Sequence, residues 1–120
     1  MNNAISKLKM KSALVVSILL ARRPGAVEAI LRFEEEEEGR WMDMNSANAA
    51  AEASFHASVP GETSLAAWEC YDALTAPRRA ARITTLHAKI EAERSALLAD
   101  LASIDEALAA EASWQATLAA

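Results

Sequence analysis

Hydrophobic residues in the second half of the chain recur at the spacing of an α-helix. Between Arg78 and Ala112 they lie three, four or seven positions apart, and small or charged residues fill most of the other sites. Because a helix has 3.6 residues per turn, residues at these spacings share one narrow face, which needs a second helix packed along it. The members of this second-arm seam are Ile83, Leu86, Ile90, Leu97, Leu101, Ile104 and Leu108.

The first half carries a similar repeat, in which steps of three and four alternate over four heptads. Its members are Val27, Ile30, Glu34, Glu37, Trp41, Met44, Asn48, Ala51 and Phe55. This is the heptad pattern of a coiled coil. Because two members are glutamates, the seam is either solvated around Glu34 to Glu38 or rotated there to Leu31 and Phe33. Asn48 is a candidate for fixing the register of the helices.

The strongest turn signal, Val59-Pro-Gly-Glu-Thr-Ser64, separates the two repeats near the midpoint of the chain. Pro-Gly favours a bend, and Thr63 or Ser64 can cap the helix that follows. Two arms of similar length joined by a short turn are typical of an antiparallel helical hairpin. We therefore predict one all-α domain over residues 1–120, a two-arm α-helical hairpin (coiled coil) with a first arm 4–57, a turn 58–63 and a second arm 64–119.

Two prolines lie inside the predicted arms. A proline within a helix removes one backbone hydrogen bond and costs about 3 kcal/mol unless the helix kinks or restarts. We expect the axis to change at Pro24-Gly25, and the second arm to form two rods, 64–75 and 77–118, at Pro77. A kinked continuous helix is the alternative. The hairpin also predicts that Trp114 lies near Leu8 and Met10.

Composition favours long, thin helices over a thick core. Aromatic residues make up 5% of the chain, whereas alanine, the strongest helix former, makes up roughly a quarter. The net charge is −5, and an acidic chain without a basic, aromatic-interleaved stripe disfavours nucleic-acid binding. The single cysteine excludes an internal disulfide and fits a reducing compartment.

The basic N-terminal segment permits several interpretations. Three lysines before the apolar run Ala13 to Ala21 imitate a secretory signal, but Arg22 and Arg23 follow at once and no Ala-x-Ala site appears, so we do not expect cleavage. The run is also much shorter than the roughly 20 residues that span a membrane. Residues 5–23 carry more than one apolar face. We expect this helix to pack within its own hairpin; a partner protein, self-association and a peripheral membrane contact are the alternatives.

No motif indicates a catalytic residue, a metal site, a cofactor or a small-molecule substrate. Cys70 could be a nucleophile only if His56 or His87 came within hydrogen-bond reach. We expect His87 to lie far from it along the rod, and nothing supplies an oxyanion hole, so we interpret Cys70 as a buried or half-exposed structural thiol. Together with His56 and His87 it lacks the spacing of metal ligands. An enzyme is therefore the least expected class of protein.

Two groups of residues are candidates for binding a partner protein. Arg22 and Arg23 could contact an acidic surface. Phe55, Trp68 and Tyr71 flank the turn, where they either join the two arms or dock a partner.

Two further charged groups have both a functional and a general interpretation. Arg78, Arg79 and Arg82 could grip an acidic partner surface or could serve solubility. The run Glu34 to Glu38 is interpreted as a solvated collar, because successive helical positions point in different directions.

Two passages resemble a known family. Leu20-Ala-Arg-Arg-Pro-Gly-Ala-Val-Glu-Ala-Ile-Leu-Arg32, leading into residues 34–40, is similar to the opening helix of the flagellar and injectisome export-stalk proteins of the FliJ, YscO and HrpB type. Thr63-Ser-Leu-Ala-Ala-Trp-Glu-Cys-Tyr71, followed by an alanine- and arginine-rich heptad helix, is similar to the start of the second arm in the plant-pathogen members. Together the two passages cover about half of the chain.

The resemblance implies a cytoplasmic, non-catalytic hairpin of a type III secretion system, which inserts into the hexameric export ATPase and contacts the export gate. Arg22 and Arg23 would face the ATPase, and residues near the turn would face the gate. In that family the first helix is continuous, whereas Pro24-Gly25 is expected to break it here. Two other classes stay open: a chaperone or adaptor that holds an amphipathic client helix, and a membrane-associated structural coiled coil.

Overall fold

The computed structural model describes residues 2–59 and 65–120, which form two long helices. Helix α1 spans Asn2–Ser58 and helix α2 spans Leu65–Ala119, and no strand occurs in the described residues. The predicted all-α antiparallel helical hairpin is confirmed. The turn residues Pro60 and Gly61 and the capping residues Thr63 and Ser64 lie outside the described residues.

The expected breaks at the prolines are not confirmed. Pro24 lies inside α1 and Pro77 lies inside α2, so the second arm is one helix rather than two rods. Each proline removes a single hydrogen bond, that of the carbonyl four residues earlier, on Leu20 and Ala73. Both prolines and both of these residues are exposed, so water can bind to the freed carbonyls and the helices continue.

The chain divides into two compact units. The terminal unit joins the part of α1 up to Phe33 with Glu93–Ala120 of α2, and the central unit is Glu34–Ala92. In each unit a segment of α1 packs against a segment of α2. Each segment therefore covers its apolar face with the other, as the two heptad repeats require.

Side-chain contacts in the terminal unit show that its two helical segments run antiparallel. The Ser12 hydroxyl donates to Glu111 Oε2 at 2.6 Å, and Arg23 Nε donates to Asp105 Oδ1 at 2.7 Å. From the first pair to the second, the residue number rises on α1 and falls on α2, so the two segments run in opposite directions. The hydroxyl of Ser12, which is 3% exposed, also accepts a hydrogen bond from Gln115 Nε2 at 3.2 Å, so the packed face is polar at this level.

The predicted contact of Trp114 is confirmed for one of its two expected neighbours. Leu8 and Trp114 line the same cavity of the terminal unit. Met10 does not line that cavity and is 73% exposed, because it lies on another face of α1 from Leu8.

The buried hydrophobic core is small. In the described part of the chain it consists of Phe33 and Ile104 in the terminal unit and Ile90 in the central unit. The second-arm seam is otherwise half-buried at Leu86, Leu97, Leu101 and Leu108. Ile83 is the exception, since 45% of it is exposed, and its predicted place on the seam is wrong.

Near the acidic run the contact face of α1 follows the rotated alternative at one position, where Phe33 is buried and Glu34 is exposed, whereas Glu37 of the predicted seam is half-buried. Phe33 is buried, and the Arg94 guanidinium lies 5.6 Å from the centre of its ring. Leu31 does not join this face, because it is 59% exposed. The rotation therefore brings one of the two expected hydrophobic residues into the core.

Candidate protein-binding surface

Arg22 and Arg23 have different surroundings in the terminal unit. Arg23 donates two hydrogen bonds to the Asp105 carboxylate, from Nε to Oδ1 at 2.7 Å and from Nη2 to Oδ2 at 3.4 Å. Arg22 is exposed and forms no ion pair with a described residue. Arg23 therefore links α1 to α2, whereas Arg22 is the residue of the two that is available to a partner.

The Arg23–Asp105 pair makes the stability of this unit depend on pH. The hydrogen bond from Arg23 lowers the pKa of Asp105 below its ordinary value of 3.8. Since the folded state holds the carboxylate at a lower pKa than the unfolded chain, the stabilisation is present above about pH 4 and is lost as the pH falls through the folded-state pKa. We expect Asp105→Asn to lower the urea midpoint at neutral pH, by an amount that shrinks towards zero in acid.

The control for this experiment is Asp100→Asn. Asp100 is an exposed carboxylate of the same helix and forms no ion pair within the described residues. Its replacement should leave the urea midpoint unchanged across the same pH range. A pH-independent effect of Asp105→Asn would show that the pair does not act through its charge.

Phe55, Trp68 and Tyr71 form an aromatic cluster with His56 in the central unit. The rings of Phe55 and Tyr71 stack with centroids 4.2 Å apart, His56 stacks on Trp68 at 5.6 Å, and the Trp68 and Tyr71 centroids are 5.6 Å apart. The cluster links α1 to α2, and aromatic pairs of this kind contribute about 0.5–1.5 kcal/mol beyond their buried area. Its three candidate residues are half-buried, so part of each side chain remains accessible.

Helix α1 also carries apolar residues outside its contact with α2. At 3.6 residues per turn these residues fall within about 120° of the helix circumference, at about 80–200° from the buried Ser12. We call this surface the outer stripe. Its members are Met10, Leu14, Leu20, Pro24 and Leu31, and the four other than proline are 54–73% exposed.

A shallow cavity of about 490 Å³ lies on the outer stripe. Because Pro24 has no N–H, the carbonyl of Leu20 has no helical donor and can accept a hydrogen bond from outside the helix. The site therefore combines an apolar floor with a backbone acceptor and one charge of each sign. Its lining residues are Leu20, Arg23, Pro24, Val27, Glu28 and Leu31.

In the central unit the packing between the helices includes a cavity of about 290 Å³ with three arginines in its lining. Asn48 and Ala51 line it from α1, and Tyr71, Thr75, Arg78, Arg79 and Arg82 line it from α2. We call it the arginine cavity.

Two residues of the arginine cavity differ in how well their polar groups are satisfied. Arg79 is held by hydrogen bonds of 2.5 Å to Asp72 Oδ1 and to Thr75 Oγ1, and the Thr75 hydroxyl donates to the Tyr71 carbonyl at 2.8 Å. Asn48 Oδ1 is buried and receives no hydrogen bond from any described residue. A buried unsatisfied acceptor of this kind costs about 1–3 kcal/mol, so the packing here is not optimised for stability.

The expected environment of Cys70 needs correction. Its side chain is exposed, because one position along a helix turns it about 100° from Tyr71, which faces the aromatic cluster. Across residues 2–59 and 65–120, no group of three or more His, Cys, Asp or Glu residues is arranged to hold a metal ion. Over the same residues, neither helix has a stretch apolar and long enough to cross a membrane.

Sequence patterns identified the aromatic cluster and, in Arg78, Arg79 and Arg82, the basic residues of the arginine cavity, but neither the outer stripe nor the cavity itself. The sequence places Leu20 and Leu31 outside the first-arm repeat. It does not determine which face of α1 remains exposed, because the N-terminal segment has apolar residues on more than one face. The arginine cavity joins Asn48 to residues of α2 that are distant in sequence, so no local motif could reveal it. No known protein family, curated protein or solved structure matches this chain.

Proposed function

We propose that this protein is a non-catalytic helical-hairpin adaptor that binds another protein through the outer stripe of α1. The observation that carries the proposal is that α1 covers one face with α2 and leaves Met10, Leu14, Leu20 and Leu31 54–73% exposed on another. Apolar residues grouped on one exposed face mark interaction sites more often than scattered ones do. The cavity at Leu20 adds a recess for a partner side chain.

The specific role that we propose is that of a cytoplasmic stalk of a type III export apparatus, which couples the export ATPase to the export gate. It rests on the resemblance of the two passages described above. The continuity of α1 through Pro24 supports it, since the first helix of that family is uninterrupted. In this role Arg22 would contact the ATPase, Arg23 would position α1 through Asp105, and the aromatic cluster would contact the gate.

A second candidate function is that of a small chaperone or adaptor that holds an amphipathic client helix. The cavity on the outer stripe favours it, because an apolar floor with a free backbone acceptor and flanking Arg23 and Glu28 suits one face of such a helix. This function needs neither the ATPase nor the gate. Peripheral attachment to a membrane is a third use of the same apolar stripe.

Binding to the hexameric export ATPase tests the proposal. We expect the wild-type chain to bind the ATPase and to raise its turnover. The double variant Leu20→Glu/Leu31→Glu places two charges on the outer stripe and should weaken binding by at least about tenfold, since burying one such leucine contributes about 1.5–3 kcal/mol. Isothermal titration calorimetry and ATPase assays measure both effects.

Leu98→Glu is the matched control, because Leu98 is 49% exposed on α2 and does not belong to the outer stripe. It should leave binding unchanged. Failure of the wild-type chain to bind the ATPase would refute the stalk role, and equal weakening by Leu98→Glu would refute the outer stripe as the binding surface. Binding of a synthetic amphipathic peptide in place of the ATPase would favour the chaperone, and pelleting with anionic vesicles would favour the membrane role.

A further inference from the structure

The arginine cavity brings together more positive charge than its acidic neighbours balance. Arg78 and Arg82 lie four residues apart on α2, a spacing at which side chains are neighbours and like charges repel. Neither forms an ion pair with a described residue, and both are exposed. The repulsion between the two guanidinium groups destabilises the helix when no ligand is bound. An anion between them would replace the repulsion with two attractive contacts.

Arg79 has a different role in the same cavity. Asp72 neutralises it, and the two hydrogen bonds to Asp72 and Thr75 fix its position while using two of its five N–H groups. The charge left uncompensated on the cavity wall is therefore that of Arg78 and Arg82. This charge matches an anion that carries about two negative charges, as a phosphate group does at neutral pH.

The remaining wall of the cavity supplies space and further polar groups. Ala51 is small, and Asn48 and Tyr71 add an amide and a phenol to the lining. The volume of about 290 Å³ is just below the range of about 300–1,000 Å³ for small-molecule sites. The cavity therefore has room for a small ligand such as a phosphate group.

We propose that the arginine cavity binds a phosphate-class oxyanion, either free phosphate or the phosphate group of a small ester, between Arg78 and Arg82. The planar guanidinium fork donates two parallel hydrogen bonds to such an oxyanion, and the tetrahedral arrangement of the phosphate oxygens allows both arginines to bind at once. A fixed Arg79 contributes its remaining N–H groups from the same wall. This site does not depend on the outer stripe or on the proposed adaptor function.

Titration of the full-length protein with inorganic phosphate, at constant ionic strength set with sodium chloride, tests the site. We expect saturable binding by calorimetry and by phosphorus NMR. Arg82→Gln should weaken it by at least about tenfold, because a hydrogen bond between charged groups contributes enough to account for that factor. Arg82→Lys, which keeps the charge but loses the fork, should fall between wild type and Arg82→Gln.

Arg22→Gln is the matched control, since it removes the same charge from an exposed residue that does not line the cavity. It should leave phosphate affinity unchanged, as should Leu20→Glu/Leu31→Glu. The absence of saturable binding, or an equal loss in Arg22→Gln, would overturn the proposal. Glycerol phosphate should compete with phosphate, whereas binding only to phosphatidic acid vesicles would assign the arginines to a membrane surface and overturn the small-ligand site.

Discussion

Replacing Ile90 with alanine should lower the free energy of unfolding by about 2–5 kcal/mol, as large-to-small substitutions at buried positions do. Ile90 is 1% exposed and is the one side chain in the described part of the chain with less than 2% exposure. Because no other described hydrophobic residue of the central unit is buried, its packing cannot close easily over the missing atoms. Urea denaturation followed by far-UV circular dichroism measures the change.

Ile83→Ala provides the control, because it removes the same atoms from the same helix at a position that is 45% exposed. We expect it to lower the free energy of unfolding by less than about 1 kcal/mol, as surface substitutions do. Large losses of similar size in the two variants would mean that both isoleucines face α1, as their spacing in the sequence suggests. Equal small losses would mean that the central unit is not held by its interhelical core.

The difference between these two isoleucines shows how far hydrophobic spacing determines this fold. The period of three and four residues correctly predicts two helices and the burial of Ile90 and Ile104, and the turn signal between them predicts their antiparallel pairing. It does not fix the rotation of each helix about its axis. Ile83 lies one heptad before the buried Ile90 and yet is 45% exposed, and on α1 Phe33 is buried where the repeat predicted its neighbour Glu34. The repeat alone therefore does not decide which residues of each face are covered.

Local sequence also does not determine whether a helix ends at a proline. The cost of proline is a local property, whereas the continuation of a helix depends on the packing of the residues before and after it. Residues on both sides of Pro24 are half-buried or buried, such as Leu19 and Ile30. The packing of these flanking residues favours continuation of the helix, and Leu20, whose carbonyl is freed, is exposed.

The candidate surfaces were predictable to different degrees. The proximity of Phe55, Trp68 and Tyr71 follows from their positions on either side of a turn, and the structure brings their rings together. The pairing of Arg23 with Asp105 depends on the register of two helices over a long stretch, which small differences in helix rotation change. Contacts of this kind require the tertiary structure.

Replacing Phe33 with alanine should lower the free energy of unfolding by about 3–5 kcal/mol, the usual cost of removing a buried aromatic side chain. Phe33 is 8% exposed, and the variant also loses the contact of its ring with the Arg94 guanidinium at 5.6 Å. Phe33→Leu keeps most of the apolar volume but removes the ring face, so it should cost less than Phe33→Ala. The loss that remains in Phe33→Leu relative to the wild type measures the contribution of the ring, and the difference between the two variants measures that of the apolar volume.

Leu31→Ala separates stability from binding on the same helix. Leu31 is two residues from Phe33 but 59% exposed on the outer stripe, so its truncation should change the free energy of unfolding by no more than about 0.5 kcal/mol. If the outer stripe binds a partner, the same variant should weaken that binding while Phe33→Ala mainly lowers stability. A large loss of stability in Leu31→Ala would place the residue in the core and remove the main support for the proposed binding surface.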